Sequence, residues 1–223
     1  MRISLSSSAL KLIAIGTMVV DHIGFLFFPH QALWRIIGRL SFPLFAFLIA
    51  EGFEKTSNFT KYAERLIIFA ALAQAPYALF LSAAHSPQTL NIFFTLAAGL
   101  FAIAALSRFP HRFSIPLVIG IAYIAEILQF DYGAYGILTI LASHLLIRRR
   151  MAGLSALIFL PILYSFLIAL KNSVPIQICA ALSVPFIALY RGARGAPLPR
   201  ALIYAFYPAH LLLLSLIWYC LSL

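Results

Sequence analysis

The feature that most constrains this chain is a succession of nearly uninterrupted apolar runs, each close to the ~20 residues that cross a bilayer as a helix. Nine can be drawn, at 10–28, 34–53, 62–82, 90–107, 113–130, 132–147, 152–170, 174–190 and 202–221. The runs are continuous, without the alternation of a half-buried strand, and only helices or closed barrels satisfy their own backbone in lipid. The bridges between them leave no room for a soluble domain. Hydrophobic residues make up 63% of the chain and charged residues 10%, against roughly 45–50% and ~25% in soluble domains. Soluble enzymes, disordered tails and, with only Cys179 and Cys220, disulfide scaffolds are excluded. The expected fold is all-α, a polytopic bundle of about nine spans forming one integral-membrane domain over residues 1–223. The first run continues too far for a secretory signal and is expected to stay as a span.

Charge then orients the bundle. The net charge of +10 does not point to nucleic acid, because the basic residues sit in bridges between apolar runs. Arg2, Lys11, Lys55, Lys61, Arg65, Arg108, Arg112, Arg148, Arg149, Arg150, Arg191, Arg194 and Arg200 all fall on the N-terminal side, 13 of the 16 Lys and Arg. The positive-inside rule puts that side in the cytoplasm and, with nine spans, the C-terminus outside. Trp34 and Trp218 fall at the outer boundary, where interfacial aromatics belong.

Ionisable residues inside spans are costly and mark sites or buried pairs. Asp21 and His22 lie roughly 17–18 Å along the first run, near the middle of a ~30 Å core. As neighbours on a helix they point about 100° apart, so Asp21 is expected to meet a cation from another helix, with Arg39 the candidate. Arg35 and Arg39 are four apart and share a face; Gly38 between them permits close helix approach, and Pro43 frees a backbone carbonyl near residue 39. Glu51 sits at the inner end of this run near Lys55 and Arg65. In the last run, His210 lies roughly 12 Å in, similar in depth to His22, with Pro208 beside it. Tyr204 and Tyr207 precede it. Asn91 and Thr95 open the fourth run, while Glu126, Asp131 and Tyr132 mark the break between the fifth and sixth. No HExxH, Cys/His cluster, Walker loop or GxGxxG is present, so no metal site is expected.

Several short segments together resemble one known family. They are Met18-Val-Val-Asp21-His22, Arg35-Ile-Ile-Gly38-Arg39, Phe42-Pro43-Leu-Phe45, Ala50-Glu51-Gly52-Phe53, Tyr62-Ala-Glu-Arg65-Leu, Gln74-Ala-Pro76-Tyr77, Leu90-Asn91-Ile-Phe-Phe-Thr95-Leu, Tyr132-Gly-Ala-Tyr135-Gly136 and Tyr204-Ala-Phe-Tyr207-Pro208-Ala-His210. In this order they are similar to the TraX family of bacterial inner-membrane enzymes. That family acetylates the N-terminus of conjugative F-type pilin and is grouped with broader polytopic acyltransferases. The resemblance implies an integral-membrane acetyltransferase in the bacterial inner membrane, using acetyl-CoA as acyl donor and a pilin or envelope acceptor, surrounded by membrane lipid.

Resemblance and depth lead to one scheme. Lys55, Lys61, Arg65, Arg191 and Arg194 would draw the phosphates of acyl-CoA to the inner face, near Glu51. The pantetheine arm would enter past Tyr207, with His210 positioning the thioester. His22 would act as general base on an amine or hydroxyl arriving from outside. Arg39 or Asn91 would stabilise the oxyanion, and Asp21 would hold Arg39 or the imidazolium. Direct transfer and an acyl-histidine intermediate are both open. The same ionisable residues also describe a proton-coupled transporter or flippase, although no internal repeat of the transporter kind is visible; a non-enzymatic pilus-assembly partner is the third class. The orientation has its own test. A C-terminal alkaline phosphatase fusion is expected to be active and a C-terminal fluorescent-protein fusion dark, and the reverse pattern would contradict the nine-span reading.

Overall fold

In the computed structural model, which describes residues 4–170 and 175–222, the chain is all-α. Arg2 and Lys171, used in the charge count, lie outside the described residues, as does Val174 at the start of the eighth apolar run. The helices are α1 Ser7–Phe27, α2 Ala32–Gly38, α3 Ser41–Lys55, α4 Phe59–Ala83, α5 Ile92–Arg108, α6 His111–Ile127, α7 Gly133–Arg148, α8 Arg150–Ala169, α9 Val184–Ala188 and α10 Arg200–Ser222, with a 3₁₀ stretch Ile176–Ser183 leading into α9. Among the described residues, five segments are long and apolar enough to span a membrane: Ser7–Phe27, Ala32–Lys55, Phe59–Ala83, Arg150–Ala169 and Ala201–Ser222. Their outward faces carry Leu12, Ile68, Leu72, Phe159 and Leu213, all more than half exposed, an apolar surface of the kind a bilayer covers.

Short connections and polar caps set the antiparallel order. The side chains of Ser6, Asn58 and Asn91 accept from the first-turn amides of α1, α4 and α5. At the basal end, near the N-terminus, Leu5 pairs with Tyr190, and Glu54 meets Arg148 at 3.0 Å. At the opposite end the loops before α5 and α7 are tied by the amide of Leu90 donating to the carbonyl of Gln129.

Prolines shape two of the expected runs. The second breaks at Arg39–Leu40 into α2 and α3, because Pro43 lacks an amide and its ring crowds the carbonyl of residue 39. The eighth is not a straight α-helix. Pro185, in the first turn of α9, cannot donate to the residue four before it, and the chain ahead winds as 3₁₀.

Small residues let α2 lie across α1. A Cβ at Gly24 of α1 would fall 2.1 Å from the Cβ of Trp34, and a Cβ at Gly38 of α2 would fall 2.3 Å from the Cβ of Asp21. The Ser41 hydroxyl then ties α3 to α1 by donating to the Ala14 carbonyl at 2.9 Å. Across the bundle α10 packs on α4, with Tyr204 stacked on Phe69 at 5.1 Å. Phe69 is ten residues into α4, roughly 15 Å from its start, so α10 begins part-way up the bundle. This recess accounts for the level that its later residues reach.

Gly38→Ala is expected to lower the thermal midpoint by the equivalent of about 1–3 kcal/mol. Gly120→Ala, whose Cβ meets nothing within 4 Å, is expected to leave it level or to gain up to about 1 kcal/mol. Equal midpoints for the two variants would show that α2 does not close on Asp21.

Candidate active site

A cavity of about 340 Å³ lies between α1, α2, α3, α4, α5 and α10, beneath the loops before α5 and α7, a size suited to a small reacting group. Its polar wall comes from one turn of α1. Asp21, 8% exposed, turns toward α2. There the Arg35 Nη1 donates to Oδ2 at 2.6 Å, and the Arg39 Nη2 donates to Oδ1 at 2.9 Å and to Oδ2 at 3.0 Å. Arg39 also donates from Nη1 to the side-chain Oε1 of Gln177 at 3.2 Å, and the Gln177 Nε2 donates to the Tyr135 hydroxyl at 3.1 Å. Two aromatic faces complete the seats of the guanidinium groups, Phe25 under Arg35 at 4.7 Å and Tyr132 under Arg39 at 5.7 Å.

His22, one residue on, points the other way. Its Nδ1 lies 2.7 Å from the Nε2 of His210 on α10, and the Nδ1 of His210 lies 2.8 Å from the Phe206 carbonyl. A carbonyl only accepts, so His210 carries its proton on Nδ1. With neutral rings its Nε2 is then an acceptor. The Nδ1 of His22 must therefore be the donor, and its Nε2 keeps the lone pair. The recessed start of α10 brings His210, ten residues along its helix, level with His22, fifteen along α1. The His22 ring also meets Phe80 edge-on at 5.1 Å and lies 6.2 Å from the ring of Tyr207.

Asp21, His22, Arg39 and Tyr207 all line the cavity, and His210 backs it through His22. Arg35, Asp131 and Tyr132 line it too, whereas other residues singled out in the sequence lie elsewhere. Glu51, Lys55 and Arg65 are at the basal end. Lys55 Nζ meets Glu51 Oε1 at 2.6 Å and donates to the Tyr190 hydroxyl at 3.0 Å, the Ser7 hydroxyl donates to Glu51 at 3.2 Å, and Arg65 lies over Tyr62 at 5.6 Å. Asn91 is fully buried as the cap of α5. Its amide nitrogen donates to the Ala70 carbonyl at 2.8 Å and to Gln74 Oε1 at 2.7 Å. Both amide hydrogens are thus committed to joining α4 and α5, which leaves none for an oxyanion.

The cavity also uses residues that stood out in the sequence only as a break between runs and as part of a motif. Asp131 and Tyr132 line it from the loop before α7, where Gln129, Tyr132 and Gly133 all have positive φ, at 52°, 65° and 46°. The Thr95 hydroxyl donates to the Asp131 carbonyl, and Glu126 Oε1 accepts from the Ala134 amide at 2.8 Å. These bonds hold a backbone conformation that non-glycine residues rarely adopt and that clusters at functional sites. Arg35 shared a face with Arg39 in the sequence, and that spacing was the available signal for its second bond to Asp21.

Residues 6–218 match the family model of the TraX protein. The chain is 31% identical to a probable fimbrial assembly protein FimC, serogroup H1, from Dichelobacter nodosus over an alignment of 235 residues, which covers 95% of each protein. It is also 35% identical over 65 residues to an uncharacterized protein, RP591, from Rickettsia prowazekii (strain Madrid E), covering 29% of this chain and 24% of that protein. No solved structure matches. A family match over nearly the whole length, together with a near full-length relative, establishes that this chain belongs to the TraX family.

Proposed function

We propose that this protein is an acyltransferase of the bacterial inner membrane that moves an acetyl group from cytoplasmic acetyl-CoA to an amine, such as a pilin N-terminus, or to a hydroxyl at the outer face. The observation that carries this reading is the chain from the Phe206 carbonyl through His210 to His22. It leaves the Nε2 of His22 as an unprotonated base on a residue that lines the cavity. A partner that fixes the tautomer of a histidine base is the arrangement that acyl-transfer sites need. The basal end is taken as cytoplasmic, since it carries the excess of Lys and Arg.

The chemistry follows from that nitrogen. The acceptor attacks the thioester carbon while His22 Nε2 removes its proton, and the imidazolium that forms donates from Nδ1 to His210. The C–S bond then breaks, and the departing thiolate takes the proton from Nε2. Arg39, fixed by Asp21, supplies positive charge beside the reaction without being a proton donor itself. The basal residues Lys55 and Arg65 suit the phosphates of CoA. From Ser7, which touches Glu51, to His22 is fifteen residues of α1, roughly 22 Å, a distance for the pantetheine arm to span past Tyr207. Acetyl-CoA is here a substrate, and the scheme uses no metal.

The name of the Dichelobacter relative, a probable fimbrial assembly protein, supports a pilus subunit as acceptor. It also favours one second reading, a non-enzymatic partner in pilus assembly. Purified protein in lipid nanodiscs, given acetyl-CoA and a peptide with a free N-terminus, separates the two through thiol release. His22→Ala is expected to lower kcat by at least about 10²–10⁴-fold while the thermal midpoint holds. His210→Ala is expected to be milder, about 10–100-fold, because the base remains but loses its fixed tautomer. A well-folded His22→Ala protein that transfers acetyl groups at the wild-type rate would overturn the assignment. A wild-type protein that releases no thiol would leave the assembly reading.

A further inference from the structure

Six buried side-chain atoms among the described residues have no hydrogen-bond partner, and two of them belong to residues that line the cavity, Tyr207 Oη and Arg39 Nε. Tyr207 is the more telling. It is 5% exposed, and its ring is packed edge-on to Phe93 at 5.3 Å and lies 6.5 Å from the ring of Tyr77. No group among the described residues accepts its hydroxyl proton. Phenylalanine would fill the same space without leaving a buried donor unpaired. The hydroxyl is explained if the cavity's ligand brings an oxygen to it.

The neighbours of Tyr207 indicate which oxygen. Its ring lies 6.2 Å from that of His22 and 5.7 Å from that of His210, all three on one side of the cavity. A base and an O–H donor at this spacing can engage the two ends of one small group, the attacking atom and the carbonyl oxygen. The first-turn amides of α5 add the positive end of a helix dipole beside the hydroxyl. Asn91, the other polar residue at this helix start, has no hydrogen to offer.

We propose that the Tyr207 hydroxyl donates to the carbonyl oxygen of the acyl thioester and to the oxyanion that replaces it. The assignment rests on the acyltransferase reading above. When the acceptor's lone pair forms the new bond to the carbonyl carbon, the C=O π pair moves onto oxygen and is held by the Tyr207 O–H. His22 Nε2 takes the acceptor's proton. The pair on oxygen then re-forms C=O as the C–S bond breaks, and the sulfur leaves with its bonding pair and the proton from His22. Tyr207 ends as it began, protonated.

The test is Tyr207→Phe in nanodiscs, assayed by thiol release from acetyl-CoA with the free-amine peptide. Binding of acetyl-CoA and of S-ethyl-CoA, the thioether without a carbonyl, is measured alongside. The expected result is a fall in kcat of roughly 10²–10³-fold, as for loss of one oxyanion donor, with the KM for acetyl-CoA within a few-fold. The thermal midpoint should be unchanged or higher, since the hydroxyl has no partner to lose, whereas a structural hydroxyl would lower it. Wild-type protein should bind acetyl-CoA more tightly than S-ethyl-CoA, and the variant should bind them equally. Turnover by Tyr207→Phe within about threefold of wild type, with His22→Ala inactive, would overturn this assignment alone. A wild type that neither binds nor turns over acetyl-CoA would overturn it together with the acyltransferase reading.

Discussion

Asp21 is the residue on which the arrangement depends. A carboxylate in a membrane interior is tenable only when its charge is answered. Here two guanidinium groups from one short helix answer it, Arg35 at 2.6 Å and Arg39 at 2.9 Å. Those bonds hold α2 across α1 at the point where Gly24 and Gly38 allow contact. They also fix the rotation of α1. With Asp21 turned to α2, the next residue must face about 100° away, and His22 is delivered to α10. One ion cluster thus forms one wall of the cavity and turns His22 toward His210.

Two sets of polar groups lie at different heights. The upper set surrounds the cavity, and its histidines form a directional chain that ends on a backbone carbonyl. The lower set, Ser7, Glu51, Lys55 and Tyr190, is closed by its own hydrogen bonds, with Arg65 beside Tyr62. The proposed thioester donor, charged at one end and reactive at the other, matches that separation. The proposed chemistry falls to the upper set, where fixed charges act among buried side chains.

Much of this was legible in the sequence because charge in an apolar run is so costly that it signals itself. Asp21 called for a cation, and the Arg39 spacing supplied one. His22 and His210 had similar depths, and Pro43 marked the break between α2 and α3. Other roles were not legible, for physical reasons. The role of Asp131 and Tyr132 depends on left-handed backbone in a loop, which a chain of side-chain types does not display. Asn91 looked like a free amide, but its hydrogens are committed across two helices, a fact that exists only in three dimensions. The bond between the histidines needed the recessed start of α10, which no periodicity reports. Tyr207 read as a substrate contact, while its unpaired proton became visible only once its neighbours were placed.

The central claim is that His22 presents a bare Nε2 because His210 holds its Nδ1 proton. Nitrogen-15 magnetic resonance of histidine-labelled protein in lipid bilayers tests it most directly, since the two ring nitrogens report protonation separately. The expected spectrum has His22 protonated at Nδ1 and bare at Nε2, with His210 protonated at Nδ1 and coupled through its Nε2 to the His22 proton. A His22 that carries its proton on Nε2, with no coupling to His210, would contradict the account.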